Sequence, residues 1–322
     1  MPGERDDTPF NSALQRMFTR DRLDDLPEHL REIHGTDVTS VEVLDVGVIR
    51  VERADGPAWV ARVFSAQRPA KATAGDAAVL RYLAGRDYPA ERLAAKKPVS
   101  TLHGQQVLVT QFVPPLKRPL EPDVYEILGR LLGRLHALSL PTGAAARPAG
   151  SLHHFAEGGR RNELDEAARW LDELEERVAP GDCGRLDQLR EAIAGADDGA
   201  GLPESLIHPD PVPKNMVRVV DGYALVDWTG AGIGPRVASL EYLLGSPAAA
   251  GRVMAGYAEH VTLTDEEWER MPAVSAGRRF VGLSFRLCLA PQKAKTFVGR
   301  ISSERRHANA IVDAARAGVA SA

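Results

Sequence analysis

Within the stretch LIHPDPVPKNMVRVVDGYALVDWTGAG, residues 206 to 232, four side chains are able to hold a cation or move a proton: His208, Asp210, Asn215 and Asp227. Carboxylate and amide oxygens are good ligands for a hard cation, and an ionised carboxylate accepts a proton from an alcohol. Asp221-Gly222 is a strong signal for a two-residue hairpin turn. With those residues as the turn, Met216 falls opposite Asp227, and Asn215 stands beside it at the open end of the hairpin. Asp210 lies five residues before Asn215, in a loop stiffened by Pro209, Pro211 and Pro213. Magnesium takes few protein oxygens and completes its shell with phosphate and water. An Asn–Asp pair facing a second carboxylate suits such an ion. Loop capping and turn-making are the competing roles, which Asp and Asn often fill. The hairpin pairing and the residue spacing agree on the chemical one.

These side chains need a scaffold, and the chain offers two kinds. Val41–Leu44, Val48–Val51 and Trp59–Phe64 are short β-rich runs, and Ala54-Asp55-Gly56-Pro57 turns between the second and third. Short links between successive strands imply an antiparallel meander. Asp76–Leu83 has helical spacing, and Gln106–Val113 reads as a further strand, ended by Pro114-Pro115. That break marks the expected boundary between lobes. Beyond it, Val124, Ile127, Leu128, Leu131, Leu135 and Leu138 form a continuous apolar stripe on a helix. Gly129 and Gly133 on that helix lower its propensity, so close packing is the expected reason for them. Residues 1 to about 38 are expected to form one or two surface helices. Residues 142 to 151 read as a loop and 160 to 200 as acidic helices. From the end of the quoted segment the chain is expected to be helical to its end.

Bulk properties exclude several classes. The 322 residues carry a formal charge of -4, with 44% hydrophobic and 26% charged residues. No overall field exists for nucleic acid or a membrane surface. Cys183 and Cys288 are the only cysteines, which excludes a disulfide framework and a thiolate metal cage. No apolar run approaches the ~18 residues of a membrane span, and the charged start, MPGERDDTPF, is no signal peptide. A cytoplasmic setting follows as the default. His136 is expected as a packed or helix-end histidine and His153-His154 as a surface loop.

The pattern His208-x-Asp210-x-x-x-x-Asn215, with Asp227 twelve residues later, resembles the catalytic core of aminoglycoside phosphotransferases and related small-molecule kinases. LGRLLGRLHAL before it and VDWTGAGIGPR within it extend the resemblance, which by order of elements spans roughly residues 40 to 300. The resemblance implies the α+β, bilobal protein-kinase-like fold: a small antiparallel β-rich lobe over residues 1–113 that binds nucleotide, with an N-terminal helical extension, and a larger helical lobe over 114–322 that carries the catalytic loop and acceptor site. It implies ATP and Mg²⁺ as cofactors and transfer of a γ-phosphoryl group to a hydroxyl of a small molecule. Asp210 becomes the catalytic base, with His208 bracing its loop, and Asn215 and Asp227 become the metal ligands. Arg62, in AWVARVF, occupies the place of the family's phosphate-gripping lysine, and Asp76 that of its helix carboxylate. The hinge residues Gln111 and Val113 would offer backbone groups to the adenine, and Lys214 would lie near the γ-phosphate. Between the first strands, Leu44-Asp45-Val46-Gly47-Val48 is too short to wrap a triphosphate in many amides.

The acceptor is less constrained. From residue 271 onward nine Arg/Lys stand against Glu304 and Asp313, a local charge of +7, whereas 160 to 200 carry -6. Aminoglycosides are polycations and call for an acidic rim. A neutral or anionic hydroxylated metabolite is therefore the expected acceptor, with a nucleotide as the other small-molecule partner and no obligate protein partner. The alternative function is a nucleotide-binding pseudokinase, a sensor or scaffold without turnover, which the short phosphate loop and Arg62/Asp76 would suit. A protein kinase is the third reading, opposed by the lack of an activation segment after Asp227.

Overall fold

The computed structural model describes residues 20–116, 122–150, 158–175, 177–240 and 246–320. The three β-rich runs become β1 (Val38–Asp45), β2 (Val48–Arg53) and β3 (Gly56–Val63), an antiparallel meander. β5 (Gln105–Gln111) pairs with β3, and β4 (Val99–Leu102) adds the far edge, giving the order β1-β2-β3-β5-β4. Val-Ser-Thr-Leu is too short to show a two-residue period, so β4 leaves no signal in the sequence.

The pleat sends alternate residues to opposite faces. Trp59, Ala61 and Val63 join Ile49, Val51, Val107 and Val109 in a core that α1 (Leu26–His34) closes through Leu26 and Leu30. The expected surface helix is present as α1, with one side buried against the sheet and Glu28, Arg31 and Glu32 exposed on the other. Residues 1–19 of that expectation, and His153-His154, lie outside the described residues. Arg62 and Val60 take the other face, paired with Val48 and Arg50 on one side and Leu108 and Thr110 on the other.

α2 (Ala70–Ala84) begins six residues before the expected Asp76. Its Val79, Leu80 and Leu83 enter one core with Leu128, Leu132 and Leu135 of α3 (Val124–His136) and with Val253, Met254 and Tyr257 of α7 (Pro247–Ala258). The apolar stripe read from the sequence faces this core, and α3 meets α7 in a close seam on its opposite face. Its glycines are explained by that seam. A Cβ built at Gly129 would lie 1.9 Å from the Val253 carbonyl oxygen, and one at Gly133 2.7 Å from that of Tyr257. Gly129→Ala gains about 1 kcal/mol of helix propensity but forces backbone apart, an overpacking cost of roughly 1–3 kcal/mol or more. The expected result is a thermal midpoint lowered by several degrees in calorimetry. An unchanged or raised midpoint would show that the seam is slack.

The acidic stretch forms α4 (Arg160–Asp172) and α5 (Cys183–Ala194). Leu164, Trp170, Leu186 and Leu189 pack with Phe280 and Leu287 of α8 (Asp265–Leu289) in a second core, and the described acids other than the buried Glu163 lie toward the outside. β6 (Glu204–Ile207) pairs with β9 (Gly232–Pro235), and β7 (Met216–Val219) with β8 (Gly222–Leu225). β9 corrects the expected run of helix after the quoted segment. There the backbone of Ile233 exchanges hydrogen bonds with Arg147 O (2.6 Å) and Ala149 N (2.9 Å), a ladder that a helix cannot make. α6 (Arg236–Leu240), α7, α8, α9 (Ala294–Val298) and α10 (Ile301–Ala320) follow. Among the described residues no helix is long and apolar enough to cross a membrane.

Candidate active site

β6 delivers the chain to a loop whose geometry is set by a buried imidazole. His208 is fully buried, its ring edge-on to Trp228 with centroids 4.5 Å apart. Its Nδ1 accepts the backbone N–H of Asp210 at 3.2 Å, so the proton sits on Nε2, which donates to Val226 O at 3.1 Å. Burial lowers the His208 pKa below the ordinary histidine value, against the pull of Asp227, and the ring stays neutral. His208 therefore braces the loop between two strands. Asn215 closes the loop from the other side: its Nδ2 donates to Asp210 O at 2.7 Å and to Asp210 Oδ2 at 3.2 Å. Lys214 Nζ, on an exposed side chain, stands 3.1 Å from the same Oδ2.

The hairpin register differs from expectation by two residues. Met216 pairs with Leu225, and Val220-Asp221 form the turn. A turn over Asp221-Gly222 of the favoured type needs φ > 0 at both residues. Here Gly222 alone takes it, at φ 121, as the first residue of β8. The adjacency survives the slip, because Val226 N donates to Asn215 O at 3.0 Å and the ladder runs one step further. Asn215 thus lies beside Asp227.

Asp227 itself is a non-glycine residue at φ 69, a conformation that costs on the order of 1–3 kcal/mol and persists only when its surroundings impose it. Glu91 imposes it from one end: Oε1 accepts the Asp227 N–H at 2.9 Å, while Oε2 accepts Thr110 Oγ1–H at 2.9 Å. Glu91 is 4% exposed and also lies 3.5 Å from Arg62 Nη2, whose Nη1 donates to Asp227 Oδ1 at 3.0 Å. Burial alone would lower the Arg62 pKa, but Glu91 and Asp227 outweigh it and hold the guanidinium charged. The carboxylate partner of Arg62 is therefore Glu91, where the sequence suggested Asp76. Asp76 is engaged elsewhere, by Arg68 at 2.6 Å, by Arg147 and by the Gly230 N–H at 3.0 Å. Burial opposes its charge, yet Arg68 and Arg147 keep its carboxyl below the usual range.

Arg62, Asp210, Lys214, Asn215 and Asp227 are thus brought together, with His208 behind them. Gln111 and Val113 lie at the end of β5, where Phe112 N donates to Ala58 O at 2.9 Å and the Arg50 guanidinium covers the Phe112 ring at 4.4 Å. The turn between β1 and β2 is only Val46-Gly47, and the Val46 N–H is already taken by Asp45 Oδ1 at 2.7 Å. Few amides remain there for phosphate. Glu91, Arg68, Arg147 and Gly230 were not singled out in the sequence. Glu91 sits in an irregular stretch between α2 and β4, where no period marks a functional position.

The donors fit a magnesium ion. The Asn215 amide spends its N–H groups on Asp210, which leaves its Oδ1 on the other side of the planar group. The Asp227 carboxylate is 42% exposed. One amide and one carboxylate oxygen are the set expected of a hard ion that keeps phosphate and water in its shell.

Residues 43–273 match the family model described as the phosphotransferase enzyme family. Among solved structures, an amicoumacin kinase in complex with AMP-PNP and Ca²⁺ aligns with TM-score 0.61 at 14% identity, over 94% of this chain and 96% of that one. A spectinomycin phosphotransferase in complex with ADP gives TM-score 0.54 at 11% identity, over 92% and 98%. A macrolide 2'-phosphotransferase from Brachybacterium faecium gives 0.53 at 16%, over 87% and 98%. These likenesses fix the fold as the bilobal, kinase-like α+β architecture. No curated protein sequence matches the chain.

Proposed function

The chain belongs to the phosphotransferase enzyme family, and from that premise we propose how its residues divide the work of moving a phosphoryl group to a small-molecule hydroxyl. Asp210 is the base: Oδ2 is held by Asn215 and Lys214, and Oδ1 takes no hydrogen bond from any described residue. That oxygen receives the acceptor's proton. Asn215 and Asp227 hold Mg²⁺, which when bound neutralises charge on the nucleotide phosphates. Arg62 grips a phosphate while staying on Glu91, and Lys214 lies within reach of the transferred group. Gln111 to Val113 form the hinge that meets the adenine edge of ATP, and the lobes divide at 113/114. Phosphoryl transfer asks a protein mainly to position groups and neutralise charge, and these residues do both. The observation that carries this reading is the joining of Asp210 to Asn215 through the amide, beside the end of β8 that leads into Asp227.

A cavity of about 510 Å³ opens beside Ile207, His208 and Pro209 and runs to the start of α4. It has the size of a small-ligand site. Arg147, Arg160, Arg161 and Arg278 line it against Glu163, Asp198 and Glu204. Glu163 is already met by Arg160 at 3.4 Å and Asp198 by Arg161 at 2.9 Å. A polycation would find one carboxylate without an arginine partner, Glu204, so the acceptor is uncharged or anionic and hydroxylated. Of the basic C-terminal residues, Arg278 alone reaches this cavity. The neighbours named for amicoumacin, spectinomycin and macrolides support a small-molecule acceptor. We place the enzyme in the cytoplasm, acting without an obligate protein partner.

An acceptor screen following ATP loss tests the reading, with Asp210→Asn as blank and kanamycin-like polycations beside sugars and nucleosides. Turnover is expected with neutral or anionic hydroxyl compounds. Strong, selective turnover of polycations would overturn the acceptor assignment.

A further inference from the structure

The turn that carries Asp227 is pinned at both ends by buried acids from two different segments of the chain. Glu91 accepts the amide of Asp227 at 2.9 Å, and Asp76, 1% exposed on α2, accepts the amide of Gly230 through Oδ1 at 3.0 Å. The same Oδ1 receives Arg147. Arg147 bridges the two sides of the contact, because it also donates to Ala72 O on α2 and to Ala231 O, just past the turn, at 2.9 Å. Arg68 occupies the second oxygen of Asp76 at 2.6 Å and stacks on Phe64 at 4.0 Å.

The local sequence is shaped around this clasp. A Cβ at Gly75 would come within 2.6 Å of Arg147 Nη1, and one at Gly232 within 2.3 Å of Arg147 O. A glycine inside a helix is unfavourable; at Gly75 its missing side chain is the space into which the guanidinium fits. The clasp is largely withdrawn from water: Asp76 and Arg68 are at most 1% exposed, and Arg147, at the edge of the cavity, is 13% exposed. A buried ion pair is poor evidence of stabilisation for its own sake. What distinguishes this one is that its hydrogen bonds end on the backbone of the turn that bears Asp227.

We propose that Asp76, with Arg147, is a positioning residue: by fixing the Gly230 amide it keeps Asp227 in its left-handed conformation, so that the carboxylate stays aimed at the metal only while α2 is docked on residues 227–231. This rests on the assignment of Asp227 as a metal ligand. Removing one pin lets the turn relax, and the first property to change is metal affinity rather than acceptor binding.

The test uses full-length Arg147→Lys and Asp76→Asn, with the Mg²⁺ concentration for half-maximal rate measured at saturating ATP. Lysine keeps the charge at 147 but cannot reach both carbonyls and the carboxylate in one plane. At least a fivefold rise in half-saturating Mg²⁺ is expected in both variants, with the acceptor KM within twofold of wild type in Asp76→Asn, because Asp76, unlike Arg147, does not line the acceptor cavity. A folded Arg147→Lys protein with unchanged Mg²⁺ demand, in an enzyme whose wild type is Mg²⁺-dependent, overturns the positioning role alone. A wild type without Mg²⁺-dependent turnover overturns the metal assignment beneath it. Should a variant fail to fold, amide exchange in wild type decides: Gly230 is expected to be protected as strongly as β5 before nucleotide is added, and fast exchange there overturns the clasp.

Discussion

Asp210→Asn lowers kcat by a factor on the order of 10²–10⁴, the range that a positioned general base contributes, while nucleotide affinity changes by less than about threefold. The substitution keeps size and an acceptor oxygen, so the hydrogen bond from Asn215 can persist. The loop stays in place because its backbone is fixed independently: Asp210 N on His208 Nδ1, and Asp210 O under Asn215 Nδ2. Asp210 is half-exposed, and its partner Lys214 has an exposed ammonium that water can satisfy. Little stability is at stake, about 0–1 kcal/mol for such an exposed pair. What disappears is the carboxylate oxygen proposed to take the hydroxyl proton. ATP consumption with a productive acceptor, beside nucleotide affinity by calorimetry, checks both halves. A variant with wild-type turnover would remove Asp210 from the base role.

Asp227→Ala is expected to abolish metal-dependent nucleotide binding, with a fall in kcat/KM of roughly 10³-fold or more. Losing a ligand to a Lewis-acidic metal removes several kcal/mol, and each 1.36 kcal/mol is tenfold in rate. Two side effects must be separated from that loss. Alanine at φ 69 is strained by roughly 1–2 kcal/mol, and Arg62 loses its nearer oxygen, though it keeps Glu91. Asp227→Asn is the control, since asparagine tolerates positive φ and keeps one oxygen donor. Calorimetric titration with ATP, with and without saturating Mg²⁺, should find the metal-dependent gain in affinity gone in the alanine variant and reduced in the asparagine variant. Unchanged affinity at saturating Mg²⁺ would count against the metal assignment.

Residues linked by local rules were legible in the sequence, and those linked through space were not. The stripe on α3 and the β1–β2–β3 meander follow from period and turn chemistry, and both are present. Asn215 stands beside Asp227 because a hairpin must bring its ends together. Its register slipped because turn type depends on φ at Asp221, which a sequence leaves open. The failures concern partners chosen by packing. Asp76 sits on the expected helix but turns to Arg147 and Gly230, 71 and 154 residues away. Glu91 reaches Asp227 across 136 residues from a segment without period. β4 and β9 exist because neighbouring backbone completes them, and neither run is long enough to announce itself.

The burial of α2 has a thermodynamic consequence. Leu80 and Leu83 share one apolar interior with Leu132 and Tyr257, so the boundary proposed at 113/114 does not separate two cooperative units. Cutting the polypeptide there would strip α2 of its counterpart and expose both surfaces to water. The whole molecule should melt as one transition.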